Sequence, residues 1–276
     1  MRLKKSCVLW TGLAMLAPMA VQAESLHPKL DARFYVDIAA YQPATDTKLR
    51  IDGAGGAGTE ISLEDDLDFE DRPTLPSVLM NFRLGERWRV EAEYFAVDRD
   101  NSRTIDRTIT IGDTTFPINT TISSSFDSDI YRLSVGYSFL KDQNSELGAT
   151  LGLHVTNFDL AASSSTGALA ESRDALAPLP TLGVYGYYAF SPKWLLTGRA
   201  DVFSLDYEEY SGTLWNVNVG IEYQVAKHFG VGLAYRYVDY GVTVEKQLTV
   251  GSASTDLSGE ITYRLGGPSL YMSLMF

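Results

Sequence analysis

The sequence predicts an all-β chain, folded as an antiparallel up-and-down transmembrane β-barrel of about ten strands, with eight as the lower count. Three observations carry this. Apolar and polar residues alternate with period two in segment after segment, and no helix-period stretch competes. Short turns and long polar connections join those segments in strict alternation. The apolar face of each segment is free of charge over most of its length, and the opposite face in the same stretches carries Arg, Asp, Glu, Ser, Asn and Gly but no Lys.

The elements follow in order from that patterning. Arg2, Lys4 and Lys5 precede an apolar stretch from Cys7 to Ala17, and Val21 and Ala23 stand at the small-residue positions of a cleavage site. So short a stretch with this flank predicts a secretory signal peptide over 1–23, leaving 24–276 as one barrel domain. Strands are expected over 31–41, 74–84, 87–99, 126–140, 147–160, 180–190, 194–205, 213–225, 230–244 and 258–276. Residues 214–225 show the basis. Trp215, Val217, Val219, Ile221, Tyr223 and Val225 share one face; Asn216, Asn218, Gly220, Glu222 and Gln224 share the other. Four short turns, near Gly85–Arg87, Lys141–Glu146, Ser191–Lys193 and Ala226–Phe229, alternate with five long polar segments, 42–73, 99–125, 161–178, 205–213 and 245–257.

In such a barrel the apolar face meets lipid and the polar face lines the lumen. Trp88, Phe139, Phe190, Trp194, Tyr223 and Phe276 fall near the short-turn ends, where an interfacial aromatic girdle belongs. Charges join the apolar face only toward the long-loop end, at Asp98, Asp129, Asp159 and Asp239. The lumen face is expected to hold six arginines, Arg33, Arg83, Arg89, Arg132, Arg199 and Arg236, and five acids, Asp37, Glu91, Glu93, Asp201 and Glu222. The two sets nearly balance in a chain whose net charge is −12. They predict a ladder of ion pairs across a narrow lumen, because the guanidinium fork pairs two-point with carboxylates. The competing fold, a secreted β-sandwich, would put many lysines on its solvated face.

Composition removes other functions. The single cysteine, Cys7, excludes a disulfide framework and a Cys-based zinc site. An excess of acids excludes a general nucleic-acid partner, which needs a basic face. The acidic segment 60–71, with Glu60, Glu64, Asp65, Asp66, Asp68, Glu70 and Asp71, lacks EF-hand spacing and reads as a solvated outer loop with at most a turn of helix. Gly53, Gly55, Gly56 and Gly58 read as a flexible tip, with no strand–helix frame for a phosphate loop. No metal and no cofactor are expected. Of three histidines, His27 lies in the N-terminal lead and His228 in a short turn; His154 alone is interior, with the Thr156 hydroxyl on the same strand face.

Leu270, Met272, Leu274 and the terminal Phe276 resemble the assembly signal of Gram-negative outer-membrane β-barrels. With the leader and the strand layout, the chain resembles the small OmpA-like and OmpW-like barrel superfamily, although ten strands depart from the eight of those families. The resemblance implies residence in the outer membrane, with outer-membrane lipids, lipopolysaccharide and the barrel assembly machinery as partners; oligomeric state stays open. The expected role is non-enzymatic, in the envelope or at the cell surface. Two alternatives stand beside it: a small-solute, porin-like channel, and an envelope enzyme working through His154. His154-Val155-Thr156 faintly resembles the His-x-Ser motif of lipid A deacylases, with Thr in place of Ser and the pair facing the lumen. Omptin-type proteases also use ten strands, with His and Asp groups at the outer rim, but no second histidine is placed for that role here.

Overall fold

The computed structural model describes residues 25–53, 58–207, 210–250 and 253–276. The segment read as a signal peptide, 1–23, lies outside the described residues, as do Gly55 and Gly56. In chain order the elements are helix α1 (Pro28–Asp31), strands β1 (Phe34–Tyr41), β2 (Ala44–Ile51) and β3 (Ile61–Ser62), and helix α2 (Leu63–Leu67). There follow β4 (Leu75–Leu84), β5 (Trp88–Thr104), β6 (Ile109–Ile111), β7 (Thr114–Phe116), β8 (Thr121–Lys141), β9 (Ser145–Ser164) and β10 (Ala170–Ser191). The last four are β11 (Trp194–Tyr207), β12 (Tyr210–Ala226), β13 (Phe229–Val250) and β14 (Ala253–Met275).

Ten of these strands, β1, β4, β5 and β8 to β14, pair antiparallel with their chain neighbours, and β1 pairs with β14 to close the barrel. No helix among the described residues is long and apolar enough to cross a membrane. The faces divide as the alternation requires. Leu151 is 65% exposed and Leu233 55%, both outward, whereas Arg89 and Glu222 are 1% and 0% exposed inside. Such a cross-section suits a medium that solvates hydrocarbon and not charge.

The long-loop end differs from the sequence expectation. The segments 161–178, 205–213 and 245–257, expected as polar connections, are mostly strand, because β9 to β14 run past the apolar belt. There the alternation persists with its sign reversed. Phe126, Phe158, Leu160, Leu214, Val238 and Tyr263 are buried inside, and Asp98, Asp127 and Asp159 are exposed outside. Those three carboxylates stand directly opposite one another on β5, β8 and β9. Like charges so placed repel; burial and then Asp98 and Asp159 push the Asp127 carboxyl above its ordinary range. Water, not lipid, must surround this level.

This upper part is a head of two facing sheets. One comprises the outer ends of β5, β8, β9 and β10; the other comprises β11 to β14 and β2, which continues β1 along β14 beyond Pro43. Rings interlock between them, with Phe158 centred 5.5 Å from Tyr240 and Phe126 6.0 Å from Tyr263. β4 starts only at Leu75, so the outer end of β5 has no strand on that side, and the acidic segment fills the gap. It is not a solvated loop. β3 pairs with β2, and Leu63, Leu67 and Phe69 are buried at 0%, 2% and 4% exposure. Ser62 caps α2 by accepting from the Asp65 N–H at 3.1 Å, and acids in the first turn suit the positive helix end.

Candidate functional site in the barrel lumen

The lumen below the head is charged and paired throughout its depth. At the short-turn end α1 enters the barrel mouth. Leu30 packs on Ala189 and Leu195, and the Lys29 Nζ lies 2.9 Å from Asp37 Oδ2 and 2.6 Å from Glu222 Oε2, donating also to Ser273 Oγ at 3.1 Å. The ammonium sits 4.5 Å from the Tyr35 ring centre. His27 caps the helix, its Nδ1 accepting from the Lys29 N–H at 3.3 Å. Burial and then the Lys29 charge push His27 down to about 4, so the ring is neutral and able to accept.

Next comes Glu146. Arg83 grips it two-point at 2.8 and 3.0 Å, Arg89 reaches it at 2.6 Å and the Ser138 hydroxyl donates at 2.5 Å. Arg89 also lies 4.0 Å from the Tyr185 ring centre and donates to the Tyr187 hydroxyl at 2.9 Å. Above it Glu91 meets Arg199, with Arg132 and Arg89 each 3.7 Å away. Arg199 holds Asp201 two-point at 2.7 and 2.8 Å. Glu93 accepts from Arg132 at 2.9 Å and Arg236 at 2.8 Å. Arg236 then stands 4.5 Å from the Phe95 ring centre, where the charged interior ends and the apolar head begins. The remaining space among these groups is about 100 Å³.

Ten of the eleven residues expected in the ladder lie in this network. Arg33 does not. It is exposed, precedes β1 at the rim, and contributes its backbone N–H to the Phe276 carbonyl at 2.8 Å. It shares the inward parity of Tyr35, but it sits at the short-turn edge of the wall, where its side chain is open to solvent. Two members were missed. Lys29 comes from outside the strands, where alternation has nothing to say. Glu146 closes a short turn in the sequence pattern; in the fold it pairs with Lys141 in the β8–β9 ladder, and its parity with Gly148 and Thr150 is the available signal. Above Arg236 and Glu93 the lumen is apolar.

A second cluster joins the acidic segment to the head. Arg99 Nη1 donates to Glu64 Oε1 at 2.6 Å, Asn101 donates to the Asp68 carbonyl at 2.6 Å, and Arg107 lies 2.6 Å from Asp66. Burial raises the Glu64 carboxyl, but bonds from Arg99 and the Thr47 N–H outweigh it and leave it below the ordinary value of 4.5.

His154 is buried at 4% exposure beneath the head, and Thr156 at 2%. Its Nδ1 has no hydrogen-bond partner among the described residues. Neither residue faces lipid. Among the described residues no group of three or more His, Cys, Asp or Glu is arranged to hold a metal ion. Leu270, Met272 and Leu274 point outward on β14, and Phe276 stacks between Phe34 and His228, ring centres 6.4 and 6.0 Å away.

No curated protein matches the chain. Among solved structures, the outer membrane protease OmpT of Escherichia coli aligns with 88% of this chain and 96% of its own at 13% identity and TM-score 0.58, a likeness of fold alone. The outer membrane protein OprG of Pseudomonas aeruginosa aligns at 11% identity over 87% and 96%, with TM-score 0.36. The toluene transporter TodX of Pseudomonas putida aligns at 10% over 89% and 90%, with TM-score 0.34. The sequence profile described as outer membrane protein beta-barrel domain matches residues 11–260, nearly the whole of a chain whose strands close into such a barrel, and the protein belongs to that family.

Proposed function

We infer that the protein is a closed, non-enzymatic barrel that anchors a folded head above the outer membrane and does not pass solutes. One observation carries the reading: the interior is filled in series by the Lys29 helix, the arginine–carboxylate network and the apolar head, leaving about 100 Å³ among the charged groups. An ion crossing it would have to displace buried pairs whose separation costs several kcal/mol each. Residues 1–23 serve as the leader, and the outward Leu270, Met272, Leu274 and Phe276 serve the assembly machinery. Outer-membrane lipid and lipopolysaccharide surround the wall, and the head offers its surface to partners outside the cell.

Planar-bilayer recording tests this. The unmutated protein is expected to be silent, and Lys29→Met, which leaves Asp37 and Glu222 facing each other, is expected to admit brief openings. A large steady conductance in the unmutated protein would replace the closed barrel with a pore. Lipid A deacylation or peptide cleavage lost in His154→Ala would replace it with an enzyme.

A further inference from the structure

The wall of the head has a seam. β10 and β11 pair from Ser191↔Trp194 up to Leu182↔Val202 and no further, although β10 runs to Ala170 and β11 to Tyr207. β10 keeps its other partner, β9, over all of that stretch. Pro178 and Pro180 occur within it, as a strand allows where one side needs no donor. The seam begins where the lipid-facing belt ends. Leu182 is the last outward leucine below it, and Leu176, 66% exposed, lies on its lip.

Behind this edge is a cavity of about 260 Å³ between the two sheets. Phe126, Phe158 and Ala177 face Leu49, Val242 and Ile261 across it. Gly259 also lines it, and a Cβ there would meet nothing nearer than 4.0 Å. Its charged borders are Arg50, Arg173 and Glu260. The two arginine side chains are 45% and 43% exposed, which marks where the cavity meets water, and each is paired, with Asp52 at 2.9 Å and Glu171 at 2.7 Å. A rim so matched gives an anion no advantage over a neutral ligand. An apolar lining gives water no partners.

We propose that this cavity binds an uncharged hydrocarbon chain of about ten carbons, admitted past Leu176 on the unpaired edge of β10. The size follows from scale: an apolar cavity of about 150 Å³ holds benzene. Two sheets packed face to face leave a slot suited to an extended chain. The site lies above the charged network, so its occupation requires no passage through the lumen and does not depend on whether the barrel conducts. The chain has two sources, an acyl chain of the outer leaflet or a free neutral molecule.

Photolabelling of the folded protein in lipid vesicles tests the proposal, with decanol bearing a terminal diazirine in one arm and a phospholipid bearing the diazirine on an acyl chain in the other. Label is expected on peptides containing Phe158, Ala177 and Val242. It should fall about tenfold in Gly259→Leu, which fills the cavity from the unobstructed side, and in Ala177→Leu, which remains informative should the first variant fail to fold. Labelling by the phospholipid assigns the site to bilayer chains; labelling by decanol alone assigns it to free molecules. Label confined to lipid-facing positions such as Leu151 and Leu233, or equal in the parent and both variants, overturns it, as does labelling by neither probe.

Discussion

One strand shows two regions built by opposite rules. Going up β5, the inward residues are Arg89, Glu91 and Glu93, then Phe95 and Val97; the outward ones are Trp88, Val90, Ala92 and Tyr94, then Asp98 and Asp100. On β8 the same change falls between Arg132 and Ile130, and on β13 between Arg236 and Val238. The register makes it a single level: Glu93, Arg132 and His154 stand in one row, and Phe95, Ile130 and Thr156 in the next. Backbone pairing is continuous through it from β5 to β8 to β9 and from β12 to β13 to β14. What differs is the surrounding medium. In lipid, apolar atoms face out and charge must be satisfied within; in water, the hydrophobic effect turns the same ladder inside out. The lower region is therefore held by specific pairs and the upper by area and shape.

The sharpest way to break the comparison is to remove one member from each region. Glu91→Ala leaves Arg199, Arg132 and Arg89 short of a carboxylate in a place where none is fully exposed, and is expected to cost roughly 3–5 kcal/mol in urea unfolding from vesicles, with ion leakage through the lumen. Phe158→Ala removes the ring packed against Phe126, Tyr240 and Tyr263 and is expected to cost about 3 kcal/mol, read as protease sensitivity of the outer strand ends. It should leave conductance at zero, because the charged region closes the lumen by itself. Leakage in Phe158→Ala and none in Glu91→Ala would invert the assignment.

Smaller effects sharpen it. Glu64 is held below its ordinary value in the folded protein, so its stabilising contribution is complete above about pH 4.5 and is lost as pH falls through the depressed folded value. Hydrogen exchange in 60–71 should therefore quicken between pH 7 and pH 3 more than in the buried strands below. Arg99→Met should flatten that dependence. Asp66→Ala comes last. Its partner Arg107 is 43% exposed, and the loss should stay under about 1 kcal/mol by thermal melting.

The strand count, the facing of each side chain in the belt and ten of the eleven ladder residues were legible because lipid imposes a strict period-two contrast. The head was harder to read. Where the sign of the alternation reverses, a search for apolar-outward faces stops, and 161–178 or 245–257 then looks like polar loop although β9 still pairs with β10 there and β13 with β14. The acidic segment misled for a related reason. Its seven carboxylates pointed to solvent, while Leu63 and Leu67, spaced to share one side of a short helix, and Phe69 just beyond it, were the residues that decided its place. Lys29 had no local signal: only the closed barrel brings it to Glu222.

The ladder that closes the barrel joins opposite ends of the chain. β1 meets β14 over the short register from Tyr35↔Met275 to Tyr41↔Ser269, whereas β13 and β14 pair over almost their full length. Hairpins of the second kind form from local encounters, but the first contact carries the greatest loop-closure entropy in the molecule. On these grounds the β1–β14 ladder is expected to form last. Until it does, two open strand edges stand in a medium that offers their N–H and C=O groups no alternative partner. The slow step of folding and the step most in need of catalysis coincide at one place, the strand that ends in Phe276.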